Sequence, residues 1–126
     1  MPRTPPASRE AYRHFARFET RWRDNDVYGH MNNAVFYEYV DTAVNSWIVS
    51  AKALDIPSGP IVGLVVASEC QFHASLGFPD PIDAGLRALH VGSSSVRYGV
   101  GLFRKDSVLS AADALFTHVY VDAKTH

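Results

Sequence analysis

Residues 23–33 (RDNDVYGHMNN) bring Asp24, Asp26, Gly29, His30, Asn32 and Asn33 together just ahead of a long apolar stretch. The chain runs seven residues from Asp26 to Asn33, enough to fold back and set a carboxylate beside a helix start. The first N–H groups of a helix find no acceptor within it. They can donate instead to a carbonyl oxygen that gains negative charge during attack. Gly29 permits a close turn or a close ligand approach. In that setting Asp26 can serve as nucleophile or general base toward a carbonyl carbon. A plainer reading uses the same residues: Asp24 and Asp26 cap turns, Asn32 or Asn33 caps the helix, and His30 is a hydrogen-bonding loop residue.

Other chemistries find little footing. His14, His73, His90, His118 and His126 show no metal-ligand spacing, and no metal site is expected. There is no glycine-rich phosphate loop and no Gly-x-Ser-x-Gly elbow. The lone Cys70 cannot form an internal disulfide and reads as a small buried hydrophobe. Lys plus Arg number 12 against 13 Asp plus Glu, a formal net charge of -1, which argues against nucleic acid as the main partner. A local basic patch for a small phosphorylated ligand remains compatible with that balance. The N-terminus has no signal-like apolar run, and the stretch from Ile61 to Ala67 is far too short for a bilayer. A soluble, cytoplasmic protein without membrane insertion is the expectation.

These residues need a frame to position them. A chain of 126 residues with 47% hydrophobic side chains fits one domain with a packed core. Residues 1–11, rich in proline and polar groups, read as a flexible arm, and 12–126 as a single domain. A first strand is predicted from Tyr12 to Trp22. A helix follows over Ala34 to Ala51, where Phe36, Tyr39, Val40, Ala43, Trp47 and Ala51 recur at helical spacing, widened by Val35, Val44 and Ile48. Pro57, Gly59 and Pro60 stop it. Four strands complete the chain. In residues 62–73, Val66, Ser68, Cys70 and Phe72 share one face. Residues 82–91 form the next strand, Val96 to Leu102 alternate after a turn at Gly92-Ser93, and 109–121 follow a hairpin turn at 104–107. The pattern supports an α+β domain with the helix on an antiparallel sheet. It leaves the strand order open.

Residues 20–41 (TRWRDNDVYGHMNNAVFYEYVD) resemble the motif of the 4-hydroxybenzoyl-CoA thioesterase family, and the similarity extends over about residues 12–122. The resemblance implies a hotdog fold: one long helix wrapped by a curved antiparallel five-stranded sheet in the order 1-3-4-5-2. It implies a homodimer in which the second strand pairs with its copy, either alone or as a dimer of dimers (a homotetramer). It also implies hydrolysis of acyl-CoA thioesters, with the acyl group broad or unspecified, because the Gly29-His30-Met31-Asn32-Asn33 form is commoner in broad acyl-CoA thioesterases. Asp26 matches the catalytic aspartate. Asn33 matches the helix-start position whose backbone N–H polarises the thioester carbonyl. His30 is a further catalytic candidate, with Gly29 and Asn32 at the substrate. Arg97, Arg104 and Lys105 are the candidates for the coenzyme A phosphates. No separate cofactor is expected, since coenzyme A is part of the substrate. The alternatives are a thioesterase acting on acyl carrier protein and a non-catalytic acyl-CoA-binding hotdog protein. Asp24 is expected to matter less than Asp26.

Overall fold

Alternating apolar and polar residues make the strands, and an unbroken stripe at helical spacing makes the helix. The computed structural model describes residues 4–54 and 58–126. It contains β1 (His14–Phe18), α1 (Asn33–Ser50), β2 (Ile61–Phe72), β3 (Ile82–Val91), β4 (Ser95–Arg104) and β5 (Ala112–Asp122), with single 3-10 turns at Arg9–Ala11 and Trp22–Asp24. The five strands form one antiparallel sheet in the order β1-β3-β4-β5-β2. α1 lies on one face, so the hotdog architecture is the observed one. Pro57, expected to stop the helix, lies outside the described residues; the helix ends at Ser50, and Lys52 follows with φ 55.

The core lies between α1 and the sheet. Phe36, Tyr39, Val40, Ala43, Val44 and Ile48 point down from the helix. Ile82, Ala84, Leu86, Tyr98, Val100, Leu102, Ala112, Ala114 and Phe116 rise to meet them. Phe36 meets Phe72 edge-on at 5.0 Å between ring centroids, which ties the helix start to the end of β2. Near the other end of α1, Trp47 packs against His14 of β1.

Two expected features come out differently. The first strand covers only His14–Phe18, because Arg21 and Asp24 close a turn instead and Tyr12 leaves the strand path. Val66 falls outside the regular alternation of Ser68, Cys70 and Phe72: the pairing of β2 with β5 shifts register between Val65 and Ala67 and gives Val66 no cross-strand partner among the described residues. A bulge inserts one residue and so breaks period-two alternation. Val66 is left 60% exposed.

The sheet's outer face carries a second apolar layer. A Cβ at Gly85 or Gly101 would collide with Tyr12, so the two glycines open a trough that its ring fills. Phe103 is fully buried there against Tyr12 and Phe15, with the Arg9 guanidinium 5.0 Å from its ring centroid. The segment read as an arm carries contacts along this face. The Ala7 N–H donates to Ser110 Oγ and Asp113 Oδ2, each at 3.1 Å, and Tyr12 Oη donates to Asp113 Oδ1 at 2.6 Å. Half-buried Cys70 lies at the edge of the helix-side core, and burial pushes its thiol up to about 11, assisted by Asp113.

Asp83 joins this layer to the sheet. Its side chain is nearly buried between Arg17 at 2.7 Å and Arg9 at 2.9 Å. The Arg17 hydrogen bond, opposed by burial and helped by Arg9, holds the carboxyl below its usual 3.8. A depressed folded value gives stability that is present above the unfolded value and lost as pH falls through the folded one. Asp83→Asn is therefore expected to cost about 1.5–3 kcal/mol at pH 7, the range for hydrogen bonds to charged groups. The gap to the parent should shrink as pH falls below 3.8 toward that depressed value. Urea unfolding across this pH range measures it; an equal gap throughout would remove the role of the carboxylate.

Candidate active site

The loop between Asp24 and Asn32 is built almost entirely by its own backbone. Asn25 and Met31 form an antiparallel bridge, and the Asp26 N–H donates to His30 O at 2.9 Å. The Gly29 N–H returns to Asp26 O at 3.0 Å. Gly29 takes φ +82, a conformation glycine adopts without a Cβ penalty. Asp26 Oδ1 accepts the Tyr28 N–H at 2.8 Å, an Asx turn that sets the carboxylate's direction. The other carboxylate oxygen of this half-buried side chain has no hydrogen-bond partner among the described residues.

The loop is braced from outside. The Met31 N–H donates to Leu76 O at 2.8 Å, and Asn25 Oδ1 accepts the Phe78 N–H at 3.1 Å. Trp22 meets Phe78 edge-on at 6.0 Å. Tyr28 is 83% exposed beside Asp26, and Val27 and Trp22 are exposed with it.

The helix start shows a specific vacancy. Asn32 is the cap: its Oδ1 accepts the Ala34 N–H at 2.9 Å, and its carbonyl accepts from Val35 at 2.9 Å and Phe36 at 3.4 Å. The N–H of Asn33 has no acceptor among the described residues. A single backbone donor therefore stays free at the positive end of α1, one residue past the loop that holds Asp26.

The other candidates are placed as follows. His30 is exposed, and its imidazole makes no hydrogen bond among the described residues. The Asn32 side chain is committed to the cap. Arg104 and Lys105 stand at the sheet end that carries residues 76–82. There Arg104 pairs with Asp80 at 2.7 Å, and Thr20 Oγ1 donates to the Asp80 carbonyl. Arg97 is seven residues back along β4, about 23 Å away at ~3.3 Å per residue, and exposed on the face opposite α1. The fold thus brings Asp26, Gly29, His30, Asn32 and Asn33 together, with Arg104 and Lys105 at the same end, and leaves Arg97 apart within one chain.

Asp24 differs most from its expected place. Its side chain is 1% exposed. Oδ2 accepts Tyr39 Oη at 2.5 Å and the Arg21 N–H at 2.8 Å; Oδ1 accepts Arg21 Nε at 3.1 Å. Burial pushes this carboxyl up, but the Tyr39 hydroxyl and the Arg21 backbone and guanidinium outweigh it, and the net value falls below 3.8. Tyr39 is itself pushed up to about 12, by burial and by Asp24. The sequence signal for this cluster is the Arg21-x-x-Asp24 spacing alone; neither Tyr39 nor Phe78 announces itself as part of the loop's support.

The model of the thioesterase-like superfamily matches residues 20–126, which takes in the loop, α1 and every strand after it. This chain belongs to that superfamily. Solved structures agree with a thioesterase-like hotdog domain. The PA5185 protein of Pseudomonas aeruginosa strain PAO1 is 43% identical, covers 96% of this chain and 85% of its own, and superposes with a TM-score of 0.93. A protein of Xanthomonas campestris whose name proposes an acyl-CoA thioesterase is 27% identical over 90% of this chain and 96% of its own, with a TM-score of 0.76. A 1,4-dihydroxy-2-naphthoyl-CoA thioesterase of Synechocystis shares the fold at 18% identity, covering 86% of this chain and 82% of its own, with a TM-score of 0.76. No curated protein matches the chain. Among the described residues, no helix of this thioesterase-like chain is long and apolar enough to cross a membrane.

Proposed function

We propose that the chain hydrolyses acyl-coenzyme A thioesters, with Asp26 as the reacting carboxylate and the Asn33 N–H as the oxyanion donor. The observation that carries this reading is the pair of unspent groups at the helix start: a carboxylate oxygen of Asp26 and the first free N–H of α1. The thioester carbonyl oxygen accepts the Asn33 N–H. Asp26 then attacks the carbonyl carbon to give an acyl anhydride, which water hydrolyses, or it takes a proton from the water that attacks directly. In either route the C–S bond breaks, the thiolate leaves and is protonated, and the products are a carboxylate and free coenzyme A. A thiolate leaves readily, so no strong general acid is required. The reaction balances without a metal or a redox cofactor. In this reading His30, exposed next to Asp26 in the loop, meets the solvent-side part of the substrate, with Gly29 allowing close approach. Arg104 and Lys105 are the nearer candidates for the coenzyme A phosphates. The Xanthomonas protein's name supports coenzyme A as carrier.

A panel of short, medium, long and aromatic acyl-CoA thioesters, read by thiol release, tests the reading. Hydrolysis of at least one class is expected; none across the panel overturns it.

The working unit proposed is a homodimer, alone or as a dimer of dimers. Among the described residues, the outer edge of the 12-residue β2 pairs with no strand, and Ile61, Leu64, Val65 and Val66 are exposed. A long apolar edge invites another strand, and a second copy supplies an identical one. Light scattering on active protein should give at least the mass of two chains. A fully active monomer would rule out the dimer as the working unit.

A further inference from the structure

Asp24 touches both the cap of α1 and its body, and neither contact needs a substrate. Its carbonyl accepts the N–H of the cap residue Asn32 at 3.1 Å, and its carboxylate accepts the hydroxyl of Tyr39 further along the helix. The loop that carries Asp26 begins at one end of the first contact and ends at the other. Tyr39 also lies over the Arg21 guanidinium at 5.9 Å, and that guanidinium holds the second oxygen of Asp24. Asp24, Arg21 and Tyr39 thus make a brace between the chain entering the loop and the body of the helix leaving it. We propose that Asp24 and Tyr39 are positioning residues: together they hold the Asp26 carboxylate in register with the free N–H of Asn33. The inference rests on the thioesterase reading of that pair.

The physical reason is the small tolerance of a reacting geometry, since a misplacement of about 1 Å can cost ~100-fold in rate. The loop's other tie toward α1 is apolar: Met31 is buried in the core cluster that includes Phe36 and Val40, a contact that sets no hydrogen-bond register. The loop's other outside hydrogen bonds, at Leu76 and Phe78, run to the segment before β3. Those hold the loop to the sheet side; the brace relates it to the helix. The buried carboxylate stays ionised because its donors outweigh the effect of burial, so the brace persists across the neutral range.

Tyr39→Phe is the discriminating variant, because it removes one hydroxyl and keeps the ring that packs against Phe18. Asp24→Asn is the second variant; it sets an amide N–H among the Arg21 donors, so its folding must be checked first. Turnover of Tyr39→Phe should fall at least ~10-fold with little change in KM, as for an interaction realised only in the transition state. In an Asp26→Asn background the same substitution should cost almost nothing, because its effect passes through Asp26. Amide hydrogen exchange at Asp26 and Asn32 should quicken in Tyr39→Phe, with or without substrate. Unchanged turnover, or an equal loss in both backgrounds, overturns the proposal. A parent protein inactive on every acyl thioester sinks the thioesterase reading instead. The exchange measurement then still decides whether the brace orders the loop, and unchanged exchange at Asp26 and Asn32 overturns that as well.

Discussion

Asp26→Asn is expected to leave a folded protein whose turnover on its best acyl-CoA is at least ~100-fold lower, the lower range for removing a positioned acid–base group. The prediction separates chemistry from loop structure because of how the carboxylate is used. Asp26 Oδ1 accepts the Tyr28 N–H, and the oxygen of an asparagine amide can accept the same bond. The Asx turn, the Gly29 return and the link to His30 O therefore survive the substitution. What disappears is the negative charge on the unspent oxygen, and with it any role as nucleophile or base. Circular dichroism and light scattering on the same sample should match the parent. A folded Asp26→Asn protein working near the parental rate would show that Asp26 is only a turn residue. Asp24→Asn, the neighbouring comparison the sequence suggests, is not a mild control: that carboxylate is buried under Tyr39 and Arg21.

Asn33→Pro is expected to lower turnover by about 100- to 1,000-fold while the helix stays intact, the cost of losing one oxyanion donor. Proline is favoured at the first helical position, where its missing N–H removes no intrahelical bond. The residue before it must be extended, and Asn32 already has φ -64 and ψ 145. The cap itself survives, since Asn32 Oδ1 bonds Ala34 and its carbonyl bonds Val35 and Phe36. The substitution therefore deletes one backbone donor and little else. Asn33→Ala keeps the N–H and loses only the side chain, so it should retain most of the turnover that the proline variant loses. Equal losses in the two would assign the effect to the side chain, and a proline variant at full rate would remove the donor from the mechanism.

Much of this protein is written in local pattern. The helix from 33 to 50 and four of the five strands follow from periods of 3.6 and 2, because burial of one stripe or face repeats along the sequence. The family motif from Asp26 to Asn33 points to the candidate site and, through the resemblance, gives the strand order. Other features depend on residues far apart in sequence. Both Asn32 and Asn33 are good caps by type; only backbone geometry gives the cap to Asn32 and leaves the N–H of Asn33 free. Arg97 and Arg104 read alike along one strand, but only the loop's bonds to Leu76 and Phe78, just before the Ile82–Arg104 pair, make Arg104's end of β4 the loop's end. Alternation cannot reveal the bulge at Val66, which is a property of the pairing with β5. Asp24 is the clearest case. It is one polar residue among several in a loop until the helix brings Tyr39, 15 positions on, over its carboxylate. A buried charge is tolerable only where donors converge on it. Convergence of that kind is made by tertiary structure, which is why the sequence offers Asp26 as the candidate carboxylate and only the fold shows the donors gathered on Asp24.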